Sequence, residues 1–240
     1  MVIAHRGASD EAPENTLPAF LRAVEVGSDG IETDVHATRD GHLVLMHDPR
    51  LDRTTDGSGS IAESTLAEIR ALDAGSWFDQ SFKGTQVPLL GELLQACGHA
   101  IPIVIELKCD GVEARVVAEV NRYKSSLCGI TYTSFQLDRL IALKSVDPEA
   151  ACGYLIRPEA NESVRADELL ALGINQICPK ANGLTAEAVR TWRQAGLSVR
   201  AWSVRNEERM RRCASIGVDG FTTDFPARAL KVLGRTSSSA

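Results

Sequence analysis

Eight short apolar, β-branched runs alternate with longer amphipathic segments along almost the whole chain, and that rhythm limits the fold more than any other feature. The runs cover Val2–His5, Gly30–Val35, Ile101–Lys108, Gly129–Thr133, Ala151–Ile156, Ile174–Pro179, Ser198–Val204 and Val218–Thr223. Helical patterns fill the intervals at Pro18–Val26, Leu89–Cys97, Gly111–Tyr123, Phe135–Val146, Glu168–Leu172, Thr185–Ala195, Glu207–Ile216 and Ala227–Val232. Thr185 caps its helix with Glu187 in the first turn. Glycines follow the predicted helix ends at Gly27, Gly173, Gly196 and Gly217, where a left-handed C-cap favours them. Eight such units in 240 residues have the size and order of one TIM-type (β/α)8 barrel. A doubly wound open sheet would use the same alternation, but no glycine-rich fingerprint follows the first run.

One stretch interrupts the rhythm. Residues Arg50 to Pro88 carry turn dipeptides, one short helix and scattered aromatics, too much for an ordinary βα loop. They are expected to form a small inserted subdomain after the second βα region, entered through an extra short strand at His42–His47. The barrel domain is expected to span residues 1–234, with 235–240 a frayed tail.

Twenty-six basic residues against 32 acidic ones leave a net charge of −6. Nothing in that balance favours nucleic acid or stable attachment to an anionic membrane. Six scattered cysteines with no C-x-x-C pair read as reduced thiols. The opening Met-Val-Ile-Ala-His has neither a basic n-region nor an apolar h-region, and no apolar run reaches membrane-spanning length. A cytoplasmic protein is expected.

The chemistry concentrates at strand ends. Side chains alternate along a strand, so Glu32 and Asp34 project together, as do Glu106 and Lys108. Buried carboxylates need a compensating charge, and an all-oxygen set favours a hard divalent cation: Mg²⁺, Ca²⁺ or Mn²⁺ rather than zinc. Taken singly, each pair also fits a solvated strand edge; together, at equivalent strand ends, they point to metal. His5 and His47 titrate near neutrality and suit general acid–base work, against the plainer reading that both merely cap strands. Arg6 offers a planar fork for phosphate oxygens and Lys108 a point charge. Trp202 shares a face with Arg200 and either walls the pocket or belongs to the core; Phe135 and Trp77 are weaker candidates. His36 continues the face of Glu32 and Asp34, but the turn after it places it beyond the pocket. His42 and His99 lie in turns and are expected to have no catalytic part. Ser134 and Ser203 have no adjacent base or nucleophile-elbow glycines, which argues against a serine hydrolase.

These residues recur in a pattern. His5-Arg6-Gly7-Ala8 and Ala12-Pro13-Glu14-Asn15-Thr16-Leu17-Pro18-Ala19-Phe20 open it. Ile31-Glu32-Thr33-Asp34-Val35, Thr38-Arg39-Asp40-Gly41, His47-Asp48 and Leu51-Asp52-Arg53-Thr54-Thr55-Asp56-Gly57 follow in order. Pro88-Leu89-Leu90, Ile105-Glu106-Leu107-Lys108, Ala201-Trp202-Ser203-Val204 and Gly217-Val218-Asp219-Gly220 lead on to Thr223-Asp224-Phe225-Pro226. From residue 2 to about 230 the chain resembles glycerophosphodiester phosphodiesterases of the bacterial cytoplasmic type. The resemblance implies a TIM barrel with a small insertion, one divalent cation, and hydrolysis of small-molecule glycerophosphodiesters to sn-glycerol 3-phosphate and an alcohol. It implies catalytic roles for His5 and His47, metal ligation by Glu32, Asp34 and Glu106, and substrate contacts from Arg6, Lys108 and Trp202. Which histidine is the acid, and whether water or the glycerol 2-hydroxyl attacks first, stay open, as does the oligomeric state. Specificity is expected to be strict for the glycerol phosphate half and loose for the alcohol. The rival readings are a phosphodiesterase directed at lysophospholipids or phosphatidylinositol-type lipids, and a noncatalytic phosphate-binding barrel.

Overall fold

The computed structural model describes residues 1–157 and 164–235. Eight parallel strands close into a barrel: β1 (Val2–His5), β2 (Gly30–Ala37), β4 (Ile103–Leu107), β5 (Ile130–Ser134), β6 (Cys152–Ile156), β7 (Gln176–Pro179), β8 (Ser198–Ala201) and β9 (Gly220–Thr223). Closure comes from β1, which pairs in parallel with β2 on one side and β9 on the other. The short β3 (Leu43–Leu45) lies outside the ring, antiparallel to β2.

Helices fill each crossover: α1 (Leu17–Glu25), α3 (Leu90–Cys97), α4 (Glu113–Asn121), α5 (Leu137–Val146), α6 (Ala166–Ala171), α7 (Ala186–Gln194) and α8 (Glu207–Ser215); α9 (Pro226–Val232) follows the last strand. The additional α2 (Leu66–Arg70) belongs to the segment between β3 and α3. The TIM barrel read from the sequence is therefore the fold, with each strand displaced by at most a few residues. The third strand begins at Ile103 rather than Ile101 because Pro102 has no N–H to give the ladder; its carbonyl instead accepts from Ile31.

Alternation divides the strand side chains between two environments. Ile31, Val35, Ile103, Ile105 and Leu107 point outward into the main core, where α1 adds Phe20 and Ala23 and α3 adds Leu90, Leu93 and Leu94, all essentially dry. The opposite faces of β2 and β4 turn Glu32, Asp34 and Glu106 toward the barrel axis. At the barrel's base Gly30 leaves room for Ile3, whose Cδ1 would lie 2.8 Å from a Cβ there. Apolar layers thus support the barrel while its upper interior is polar.

The segment from residue 46 to 88 packs, together with Val44 of β3, around its own small core of Met46, Leu51, Ile61, Ile69, Ala74 and Val87. A capping box between Thr65 and Glu68 starts α2. Asp73 organises the following loop by accepting from the backbone N–H groups of Gly75, Ser76 and Gly84 and from the Ser76 hydroxyl. An Arg70–Glu92 ion pair ties α2 to α3. Arg235, the first residue of the expected tail, pairs with Asp29 through both guanidinium nitrogens at 2.6 and 2.7 Å; residues 236–240 lie outside the described residues. All six cysteines are free. Among the described residues no helix is long and apolar enough to cross a membrane.

Two separate cores imply two separable stabilities. Ile69→Ala, which empties the smaller core, is expected to cost about 2–5 kcal/mol locally and to speed amide exchange across residues 51–87 while the barrel strands stay protected. Uniformly faster exchange in barrel and insertion alike would mean that the two cores unfold as one.

Candidate active site

The C-terminal ends of the barrel strands gather the chemistry. Glu32, Asp34 and Glu106 offer carboxylate oxygens that all lie within 4.8 Å of one another, and their residues are 4%, 0% and 9% exposed. Three charges so close and so dry repel strongly. Burial, then the neighbouring Asp34, raises Glu32 above the usual carboxylate range and lifts Glu106 to about 7. Burial presses Asp34 the same way, but Arg6 and Lys108 outweigh it and hold its carboxyl low. One Asp34 oxygen, Oδ1, is buried without a hydrogen-bond partner. An oxygen-only set with an orphaned buried carboxylate oxygen fits a hard divalent cation.

Two cations border the triad. Lys108 Nζ lies 2.9 Å from Glu106 Oε1 and 3.5 Å from Asp34 Oδ1. Arg6 lies 3.2 Å from Asp34 Oδ2 through Nε and donates from Nη1 to Glu14 at 2.8 Å. Its backbone N–H donates to Glu32 Oε2 at 3.1 Å. That geometry needs a left-handed bend: Arg6 has φ 58° and Gly7 φ 85°. At Gly7 a Cβ would come within 2.6 Å of the Ala19 backbone, so only glycine fits.

Both predicted histidines face the cavity, and each is oriented by an aspartate. The His5 Nδ1–H donates to Asp224 at 2.5 Å, and its Nε2 lies 4.0 Å from Glu32. The His47 Nδ1–H donates to Asp48 at 2.7 Å. A carboxylate partner fixes the tautomer with Nδ1 protonated. Their titrations diverge. Burial works against the charged form of His5, but Asp224 and Glu32 overcome it and raise His5. For His47 burial prevails, aided by Arg6 and Lys108 against the pull of Asp34, and its value falls.

The cavity holds about 520 Å³ counting its open mouth, and Thr133, Phe135, Leu155, Arg200, Trp202, Ser203, Arg205 and Thr222 complete its wall. Trp202 follows β8 and is anchored by its Nε1–H, which donates to the Cys178 carbonyl at 2.9 Å. Phe135 stands edge-on to it, ring centres 5.1 Å apart. Arg200 is 5% exposed on the floor and donates to Gln176 at 3.0 Å. The predicted site residues therefore converge on one cavity, Asp34 and Lys108 standing just behind its surface. Trp77 does not line it: it is 40% exposed within the insertion and stacks edge-on with Phe78. His36 turns its Nε2–H to the His47 carbonyl at 3.3 Å and is not one of the clustered ligand residues. Among the described residues the hydroxyls of Ser134 and Ser203 hydrogen-bond only with Leu107, Gln136 and Arg205, and with no histidine.

Several supporting residues escaped the sequence reading. Asn15, itself at φ 56°, donates to Asp34 Oδ2 at 2.9 Å and accepts from Thr33 at 2.8 Å. Arg53 reaches from the insertion to grip Glu14 through two nitrogens at 2.8 Å and Asp48 at 2.6 Å. It thereby links the positions of Arg6 and His47. Glu14, Asn15, Arg53, Asp48 and Asp224 all lie inside the quoted motifs, which was the available signal; their partners were invisible because they are brought together only in space.

Comparison with known proteins gives the class of a barrel with this rim. The sequence profile of the Glycerophosphoryl diester phosphodiesterase family matches residues 5–228. The glycerophosphodiester phosphodiesterase of Caldanaerobacter subterraneus subsp. tengcongensis is 35% identical over 97% of each chain, and that of Bacillus subtilis is 33% identical over 94% of this chain and 84% of its own. An Oleispira antarctica phosphodiesterase solved with the product sn-glycerol-3-phosphate superposes with a TM-score of 0.90 at 32% identity, covering 98% of this chain and 96% of that one. The chain belongs to the glycerophosphodiester phosphodiesterase family.

The close approach at Gly7 supports a prediction. Gly7→Ala forces either the Arg6 bend or the start of α1 to move, and is expected to lower stability by about 1–3 kcal/mol. Phosphodiesterase activity should fall further than that loss explains, measured at a temperature where the variant stays folded. Unchanged activity would show that the Arg6 bend does not shape the site.

Proposed function

We propose that the protein hydrolyses small-molecule glycerophosphodiesters to sn-glycerol 3-phosphate and an alcohol, depends on one divalent cation, and uses His5 and His47 as its acid–base pair. The supporting observation is the buried Glu32–Asp34–Glu106 triad at the wall of a cavity that both histidines face. A bound cation would supply Lewis-acid stabilisation of the phosphoryl oxygens, with Mg²⁺ or Ca²⁺ the leading choices and Mn²⁺ a third. Glu32, Asp34 and Glu106 would hold it. Lys108 and the remaining face of Arg6 draw the phosphate in and offset the negative charge that grows in the transition state. Trp202 walls the substrate. The six free thiols agree with work in the cytoplasm.

The environments of the two histidines divide the labour. His5, raised by Asp224 and Glu32 against its burial, holds a proton to give the leaving alkoxide. His47, lowered chiefly by burial, stays neutral and takes the proton of the attacking hydroxyl. The cavity wall contributes only Phe135, Leu155 and Trp202 as apolar contacts, too little for an acyl chain, which disfavours a lipid-directed enzyme. A noncatalytic binder has no use for two aspartate-oriented histidines.

Activity against a water-soluble diester, read as glycerol 3-phosphate released, tests this reading. Chelation is expected to abolish it and added Mg²⁺, Mn²⁺ or Ca²⁺ to restore it; full turnover in exhaustively chelated protein would refute the metal dependence. His5→Ala and His47→Ala should each lower kcat by about 10²–10⁴-fold.

The pH profile carries its own sign. At saturating metal, kcat/KM should decline on the acid side as His47 gains a proton and on the alkaline side as His5 loses one. Asp224→Asn removes a partner that raises His5, so it should move the alkaline limb to lower pH. An alkaline limb unmoved in that variant would reject His5 as the acid.

A further inference from the structure

The rim beyond the catalytic groups is not neutral. Phe135 and Trp202, the aromatic wall of the cavity, each carry a cation over the ring: the Arg157 guanidinium is 5.5 Å from the Phe135 centroid and the Lys180 ammonium 5.7 Å from that of Trp202. Both cations stand just past strand ends on the open side of the barrel, Arg157 after β6 and Lys180 after β7, and both side chains are exposed. Lys180 is held in register beside Trp202 by a bridge between their backbones. Arg157 and Lys180 reach the cavity only through the rings they cover; a cation in its wall, Arg205, lies 3.5 Å from Asp224 and is partly neutralised there.

An aromatic wall is ordinarily where a quaternary ammonium group would seat. A trimethylammonium head group seated on either ring here would meet a resident cation. A head group bearing a carboxylate or a second phosphate meets two exposed positive charges within a Debye length, about 8–10 Å. Uncharged glycerol gains nothing from either. We infer that this rim makes the enzyme select diesters whose alcohol is anionic over those whose alcohol is a quaternary ammonium, with Arg157 and Lys180 as the specificity-determining residues. The loose alcohol preference expected from the sequence becomes a charge preference. The inference rests on the glycerophosphodiester reading proposed above.

The test compares kcat/KM for glycerophosphoinositol 4-phosphate, glycerophosphoinositol and glycerophosphocholine, each read as glycerol 3-phosphate, at low and high salt. The anionic substrate is expected to exceed glycerophosphocholine by about tenfold at low salt, with glycerophosphoinositol between them and the spread shrinking at high salt. In the double variant Arg157→Gln/Lys180→Gln the anionic-to-choline ratio should fall to within about twofold of one. The ratio is taken within each protein, so a general loss of activity cancels. Should the double variant fail to fold, Lys180→Gln alone should reduce the ratio about threefold. A wild-type ratio near or below one, or a ratio that survives these substitutions, overturns the inference. Release of no glycerol 3-phosphate from any of the three diesters defeats the underlying functional reading instead.

Discussion

Everything at the top of this barrel answers to one unfavourable fact: three carboxylates, Glu32, Asp34 and Glu106, converge in a dry space with oxygens within 4.8 Å of one another. Left alone, such a cluster would neutralise itself by taking up protons. Glu32 and Glu106 are indeed pushed that way, while Arg6 and Lys108 at ion-pair distance keep Asp34 ionised, with the buried Arg200 on the cavity floor beneath. Asn15 fills the second oxygen of Asp34 with a hydrogen bond. The arrangement suits a cation that must be gripped without being sealed in, because the cavity stays open above it.

The same electrostatics separates the two histidines. They are of one residue type and each has an aspartate at Nδ1, yet their surroundings push them in opposite directions. Asp224 and the nearby Glu32 favour the charged form of His5. His47 lies within the field of Arg6 and Lys108, and its Asp48 is shared with Arg53, which holds that carboxyl down at about 2. Environments that drive equivalent groups apart are what an acid–base pair requires. The insertion matters here through Arg53, which joins Glu14 and Asp48 and so couples the Arg6 loop to the His47 loop. Its own small core around Ile69 keeps that arginine in place without belonging to the barrel.

How far the sequence could be read follows from the range of each interaction. The barrel was legible because eight buried parallel strands leave eight dense β-branched runs, and because period-two alternation alone places Glu32 beside Asp34 on one face. Strand ends were less so. The run through Val204 continues apolar after β8 has stopped at Ala201, since beyond it Trp202 keeps only an isolated bridge to Lys180. The partners that tune the site were beyond reach: Asp224 meets His5 across 219 positions and Arg53 meets Glu14 across 39. Neither pairing leaves a local pattern. Nor do the cations over Phe135 and Trp202, which come from the ends of strands β6 and β7.

The central claim is that the triad exists to bind one divalent ion, and the most direct measurement is a Mn²⁺ titration of the intact protein followed by electron paramagnetic resonance. The account predicts one tightly bound Mn²⁺ per chain with oxygen ligation, displaced by Mg²⁺ or Ca²⁺, and lost in Asp34→Asn protein whose circular dichroism still matches the folded barrel. Binding of equal affinity in that variant, or no bound ion in the native protein, would contradict it.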